Sequence, residues 1–264
     1  MKVIRARDYN QMCSFAAHFV AREVRNRPEM VLGLATGRTM QGFYREVVER
    51  HRAGAVSFAR VRTFNLDEYV NLDSNHPASF HSFMRWNFVE QVDLPPENAN
   101  IPDGNSDRLL DASAKYEADI RAAGGIDLQV LGIGRNGHIA FNEPGSSLTS
   151  RTRVKRLSPE TILANTPDFG DPESVPRYVI TMGIGTVMEA RFVLLLASGS
   201  SKSRAVEQMI EGPLTAQCPA SILQMHPHAF VVVDEAAATR LNQTYETVEE
   251  ILADPYEEYF WEGA

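Results

Sequence analysis

Short β-branched runs alternate with longer helical patterns along this chain, and no other feature restricts its fold as much. Met30-Val-Leu-Gly-Leu-Ala35 reads as a buried strand and residues 39–52 as the helix after it. Arg60-Val-Arg-Thr-Phe-Asn65 reads as a second strand, followed by helices over 77–89 and 107–123. Ile126-Asp-Leu-Gln-Val-Leu-Gly132, Tyr178-Val-Ile-Thr181 and residues 191–197 and 229–233 supply further strands, with helices over 201–211 and 236–242 after the last two. This order predicts an α/β fold, an open and mainly parallel sheet with helices on both faces, an α/β/α sandwich. No repeat, heptad array or low-complexity tract interrupts it, so residues 1–264 are expected to form a single domain. One stretch breaks the rhythm: residues 157–176 contain Pro159, Pro167, Pro172 and Pro176, too many for one regular element. It is expected to be either a surface connection or a lid over the ligand crevice.

Composition narrows the partners. With 44% hydrophobic and 23% charged residues the chain has the balance of a soluble globular protein. No apolar run approaches the roughly 18 residues of a membrane span. The opening Met-Lys-Val-Ile-Arg-Ala-Arg-Asp carries charges where a signal peptide needs an apolar stretch. Two cysteines, Cys13 and Cys218, show no metal-ligand spacing, so a reducing, cytoplasmic setting is expected, with neither metal nor disulfide. The formal net charge of −8 argues against nucleic acid as a partner. It also requires that any anionic substrate be captured by local cations and helix N-termini.

In parallel α/β sheets the ligand crevice lies beyond the carboxyl ends of the strands, which directs attention to four loops. Ala35-Thr-Gly-Arg-Thr39 offers Gly37 for a close turn, with the Thr36 and Thr39 hydroxyls at a helix start, a setting suited to phosphate. It lacks the spacing of a P-loop. In Phe64-Asn-Leu-Asp-Glu-Tyr69, Asp67 and Glu68 follow a buried strand. A carboxylate there can act as a general base if burial raises its pKa, or the pair can simply cap a helix. Gly132-Ile-Gly-Arg-Asn-Gly-His-Ile-Ala-Phe-Asn-Glu-Pro-Gly145 places His138 among glycines, with Asn136 and Glu143 near it. A histidine that titrates near neutrality can exchange a proton with a sugar ring oxygen. In Ala197-Ser-Gly-Ser-Ser-Lys-Ser203, Lys202 stands at a helix start where the dipole opposes it, which an anionic ligand would explain. His226-Pro-His228 has no third ligand nearby, and Glu257-Glu-Tyr-Phe-Trp-Glu262 reads as a solvated helix end with docking aromatics.

Together these loops resemble the glucosamine-6-phosphate deaminase (isomerase) family. The resemblance covers roughly residues 30–235. It is carried in order by Leu34-Ala-Thr-Gly, Thr63-Phe-Asn-Leu-Asp-Glu-Tyr, Gly137-His-Ile-Ala-Phe-Asn-Glu-Pro-Gly, Ser150-Arg-Thr-Arg and Leu223-Gln-Met-His-Pro. It implies cofactor-free conversion of an amino-sugar 6-phosphate and water to a ketose 6-phosphate and ammonia. Asp67 would move a proton between C2 and C1, His138 would assist ring opening, and Glu143 would orient His138. Thr36, Gly37, Thr39 and Lys202 would hold the phosphate, with Arg38 and Gly137 beside them.

Departures from the family pattern matter. Asn136 stands where Asp is frequent, and Pro167 stands where a phosphate-binding Arg is frequent. The phosphate loop carries Arg38-Thr39-Met40 in place of a small residue, Thr and Pro. Arg38 is therefore expected to supply the guanidinium missing at Pro167; a shifted amino-sugar specificity is the competing explanation. Ser146, Arg153 and Lys155 match positions that bind an N-acetylamino-sugar phosphate effector in the family's allosteric hexamers, although Arg156 replaces a smaller residue. The plain alternative for Arg151-Thr-Arg153 is a structural ion-pair segment. A homo-oligomer is expected. The rival functions are a 6-phosphogluconolactonase, which has no need of Asp67, and a sugar-phosphate-binding regulator, which would need a DNA-binding module that the 29 N-terminal residues are too few to supply beside the first helix.

Overall fold

The computed structural model describes residues 1–254; the aromatic tail expected over 257–262 lies outside the described residues. In chain order the strands are β1 (Lys2–Ala6), β2 (Val31–Leu34), β3 (Arg62–Asn65), β4 (Asp67–Tyr69), β5 (Ala99–Asn100), β6 (Leu128–Gly132), β7 (Arg153–Arg156), β8 (Tyr178–Thr181), β9 (Phe192–Ala197), β10 (Ala229–Asp234) and β11 (Glu246–Thr247). The helices are α1 (Tyr9–Asn26), α2 (Arg38–Arg52), α3 (Phe80–Asn87), α4 (Leu109–Ala122), α5 (Pro159–Phe169), α6 (Ile184–Met188), α7 (Ser203–Ile210) and α8 (Val248–Ala253).

Eight strands form a parallel sheet in the order β11-β1-β10-β9-β6-β2-β3-β5. Val31, Leu32 and Leu34 of β2, and all six residues of β10, are buried, as expected where helices cover both faces of a sheet. From β2 the chain builds outward through β3 to β5. It then returns to β6 on the other side and builds through β9 to β10. The sheet therefore reverses direction between β2 and β6, and a crevice opens there. β3, β2, β6 and β9 are consecutive neighbours in a parallel sheet, so the four loops singled out in the sequence emerge side by side at one edge.

Several elements depart from the sequence reading. β1 was not anticipated; its Lys-Val-Ile-Arg-Ala alternation pairs with β10 from Lys2↔Phe230 to Ala6↔Asp234. Tyr178–Thr181 does not join the large sheet but forms the centre of a second, antiparallel one, β4-β8-β7. Residues 236–240 are turns and 241–242 irregular, rather than a helix. The Asp234 carboxylate draws in the Ala237 N–H at 2.8 Å there.

The proline-rich stretch resolves into α5 and a following turn, and of its prolines only Pro167 costs the helix a backbone hydrogen bond. Pro159 opens the helix, Pro167 falls in its last turn, and Pro172 and Pro176 lie beyond it. Ser158 caps the N-terminus, and Gly170, at φ 79°, closes the C-terminus in the left-handed conformation. α5 packs on the small sheet through Ile162 and Phe169, in an apolar cluster with Tyr69, Phe141, Leu157, Val175 and Val179.

Candidate active site

Asp67 and Glu68 are not loop residues; they form β4, and the pleat sends them to opposite faces. Glu68 is fully engaged. Its carboxylate accepts the N–H groups of Tyr69 (2.7 Å), Phe80 (3.2 Å) and His81 (2.9 Å), and lies 2.7 Å from His81 Nδ1. It thereby caps α3 and anchors β4. The Asp67 side chain, 5% exposed, has no hydrogen-bond partner among the described residues. Burial, reinforced by the Glu68 charge, pushes its carboxyl well above the ordinary carboxylate range. A carboxylate of raised basicity at the carboxyl edge of the sheet is suited to abstracting a proton from carbon.

The loop after β6 is shaped around His138. A Cβ on Gly134 would stand 2.2 Å from His138 Cε1 and 2.4 Å from both ring nitrogens, so only glycine leaves room for the imidazole. Gly137 has φ 82° and packs on Cys218, where a Cβ would meet the sulfur at 2.5 Å. His138 Nδ1 lies 3.6 Å from Glu143 Oε2, a looser contact than a hydrogen bond. The Asn136 amide does not bond the imidazole. Its Oδ1 accepts the His138 backbone N–H at 3.3 Å, and its Nδ2 donates to Glu143 Oε2 at 2.8 Å. Glu143 also accepts the hydroxyls of Thr161 and Ser158 from the first turn of α5. Burial works against its charge, but His138, Thr161 and Asn136 outweigh it and hold the carboxyl down at about 2.

Further contacts join the pieces. Asp67 pairs in register with Thr181 of β8, whose hydroxyl accepts the Phe141 N–H at 3.2 Å, so β4 and the His138 loop meet at one residue. Lys202 Nζ donates to the Ile133 carbonyl at 2.6 Å, bringing the loop after β9 to the loop after β6. Burial, helped by the Arg135 charge, lowers its ammonium to about 8. In the loop after β2, Gly37 caps α2 with φ 100°, and Tyr9 accepts the Gly42 N–H at 2.8 Å to pin the helix start. Thr36 and Thr39 are partly exposed and Arg38 exposed at that helix start. The Arg38 guanidinium reaches α5, 3.9 Å from Asp168 and next to Pro167.

Ser146 and Arg153 adjoin this edge: the Ser146 N–H donates to the Glu143 carbonyl at 3.0 Å, and Arg153 pairs in register with Thr181, the partner of Asp67, while Lys155 pairs with Val179 farther along β8. Arg153 and Lys155 share one face of β7. Arg153 is partly buried, which lowers its pKa, and the Ser146 hydroxyl is buried without a partner among the described residues. Arg151 instead joins Glu117 and Glu189, so the structural ion-pair reading holds for that residue. His226 is also structural: Nε2 lies 2.9 Å from the Ala190 carbonyl, and Nδ1 accepts the His228 N–H at 3.1 Å.

The sequence reading missed Arg135, Asp234 and the Ser158–Thr161 pair. Asp234 accepts the Ser198 hydroxyl and the Gly199 N–H, fixing the turn that leads to Lys202. Its signal was present as an acid at the end of a buried strand, the same signal that marked Asp67.

The sequence profile of the family described as glucosamine-6-phosphate isomerases/6-phosphogluconolactonase matches residues 7–232. The chain belongs to this family. Among its relatives, a glucosamine-6-phosphate deaminase of Rhodopirellula baltica is 49% identical over 236 residues, covering 89% of this chain and 94% of that one. A glucosamine-6-phosphate deaminase of Mycolicibacterium smegmatis is 45% identical over 269 positions and spans both chains completely. Among solved structures, one described as a monomeric glucosamine-6-phosphate deaminase superimposes with a TM-score of 0.89 at 42% identity, covering 90% of this chain and 99% of that one. A 6-phosphogluconolactonase from Trypanosoma cruzi shares the fold, with a TM-score of 0.74 at 19% identity over 92% of this chain and 97% of its own. No helix among the described residues is long and apolar enough to cross a membrane.

Proposed function

We propose that this chain converts glucosamine 6-phosphate and water to fructose 6-phosphate and ammonia. The observation that carries the reading is the near-complete alignment with relatives named for this activity, at 49% and 45% identity, on a chain whose buried Asp67 has no hydrogen-bond partner among the described residues. Lactone hydrolysis has no step for such a carboxylate, and the lactonase neighbour shares only 19% of the sequence.

The chemistry divides among the residues as follows. His138, polarised by Glu143, exchanges a proton with the ring oxygen and opens the sugar to its aldehyde. Asp67 takes the proton from C2, leaving an enolamine across C1 and C2, and returns it to C1. C2 is then an iminium carbon; water adds there, and ammonia leaves as the ketone forms. Each acid–base step of this kind contributes about 10²–10⁴ in rate. Thr36, Gly37, Thr39 and Lys202 hold the phosphate, with Gly137 lining the loop beside His138. Arg38, 3.9 Å from Asp168, supplies from α2 the guanidinium absent at Pro167. Ser146, Arg153 and Lys155 form a second phosphate-binding set for an N-acetylamino-sugar phosphate effector.

The test is a comparison of substrates. Purified protein should release ammonia from glucosamine 6-phosphate and leave 6-phosphogluconolactone unhydrolysed; the reverse pattern would overturn the proposal. Arg38→Ala should raise KM by about 10–100-fold, the worth of a charge-assisted contact, with little change in kcat. An unchanged KM would remove Arg38 from the phosphate site.

A further inference from the structure

We propose that Thr161 and Ser158, in the first turn of α5, are positioning residues for the reaction, setting His138 through the carboxylate of Glu143. This rests on the reading of His138 and Glu143 given above. The two oxygens of Glu143 serve different elements. Oε2 faces the His138 loop, accepting from Asn136 Nδ2 at 2.8 Å and lying 3.6 Å from His138 Nδ1. Oε1 faces α5, accepting the Thr161 hydroxyl and the Ser158 hydroxyl, the latter at 3.2 Å. A carboxylate held at one oxygen can swing about its terminal bond; held at both, it keeps Oε2 aimed at the imidazole.

Thr161 is 5% exposed, so water cannot readily replace its hydroxyl. Ser158 is also the N-cap of α5, its oxygen accepting the Thr161 N–H at 3.1 Å. The same serine thus fixes where the helix begins and where Glu143 can sit. One turn later Asn165 Nδ2 donates to Tyr69 Oη at 2.9 Å, and Tyr69 is two residues from Asp67 on β4. α5 therefore contacts Glu143 directly and, through Asn165, a neighbour of Asp67 on β4. A helix that the sequence marked only by its prolines becomes part of the catalytic geometry without offering a reacting group.

Thr161→Val keeps the shape and removes the hydroxyl. It is expected to lower kcat by about 10–100-fold, the factor associated with a hydrogen bond to a charged group, with KM within about twofold. Thr161→Ser restores the donor and is expected to recover most of kcat. Leu163→Ala, on the exposed face of the same helix, is expected to leave kcat unchanged. An unchanged kcat in Thr161→Val, a loss confined to KM, or a loss that Thr161→Ser does not recover would overturn the proposal. Glu143→Gln, assayed alongside, separates the two readings. If it is impaired and Thr161→Val is not, only this inference fails. If Glu143→Gln keeps full activity, the assignment of the His138–Glu143 pair fails as well.

Discussion

Asp67 and Glu68 are consecutive residues of one three-residue strand, and the pleat gives them opposite fates. Glu68 turns to the start of α3 and accepts three backbone N–H groups, while Asp67 turns to the other face and is buried without a donor among the described residues. Glu68 holds the strand, and its charge also helps keep Asp67 basic.

The stability of Asp67 variants should therefore run against their activity. The folded protein holds the Asp67 proton more tightly than the unfolded chain, so stability falls as pH rises from the ordinary Asp value toward the raised one. Asp67→Asn removes that cost. Its Tm should exceed that of the parent at pH 8, and the difference should shrink as pH approaches 4. Thermal melts across this range check it; an Asn variant less stable than the parent at every pH would contradict the burial argument.

Glu68→Gln should behave in the opposite sense. Replacing a carboxylate that is 1% exposed and bonded to three N–H groups and His81 is expected to cost about 2–3 kcal/mol. Denaturant unfolding measures this directly. A cost below about 0.5 kcal/mol would mean that α3 does not depend on Glu68.

Gly134→Ala tests the room made for His138. Gly134 does not require a left-handed backbone, so the fold should survive. The new methyl must displace the ring it would meet at 2.2 Å. A misplacement of this size is expected to lower kcat by about 100-fold with little change in Tm. Full activity would show that the imidazole can be relocated without consequence.

Lys202 should give the pH profile its alkaline limb. With the ammonium lowered to about 8, kcat/KM should decline above that pH as the phosphate loses its counter-charge. Lys202→Arg should flatten the decline, because a guanidinium stays charged. Burial is the larger cause of the shift and Arg135 the smaller, so Arg135→Ala should move the limb to higher pH. A limb unmoved by either variant belongs to another group.

Much of the site was legible because it depends on local rules. Strand period and glycine spacing announced the loops after β2, β6 and β9, and the parallel order of the sheet brought them together as expected. The missing parts depend on contacts between distant residues. Nothing near Glu68 in sequence indicates that residues 80 and 81 will offer it their N–H groups. Nothing near Tyr178 indicates that its strand will pair antiparallel with β4 and β7 rather than enter the large sheet. Prolines at 159 and 167 were read as breaks, yet Pro159 occupies the first position of a helix, where proline is tolerated, and the helix carries Pro167 within its last turn at the loss of one backbone hydrogen bond. With residues 157–176 left as either a connection or a lid, the hydroxyls of Ser158 and Thr161 had no helix start to be read against.

The central claim is that one buried carboxylate moves the proton that turns the aldose into a ketose. Ammonia release from glucosamine 6-phosphate, measured at pH 7 for the parent and for Asp67→Asn, tests it most directly. The parent should give ammonia in equal amount to fructose 6-phosphate, and the folded variant a rate about 10²–10⁴-fold lower. A variant within tenfold of the parent, or a parent that releases no ammonia, would contradict it.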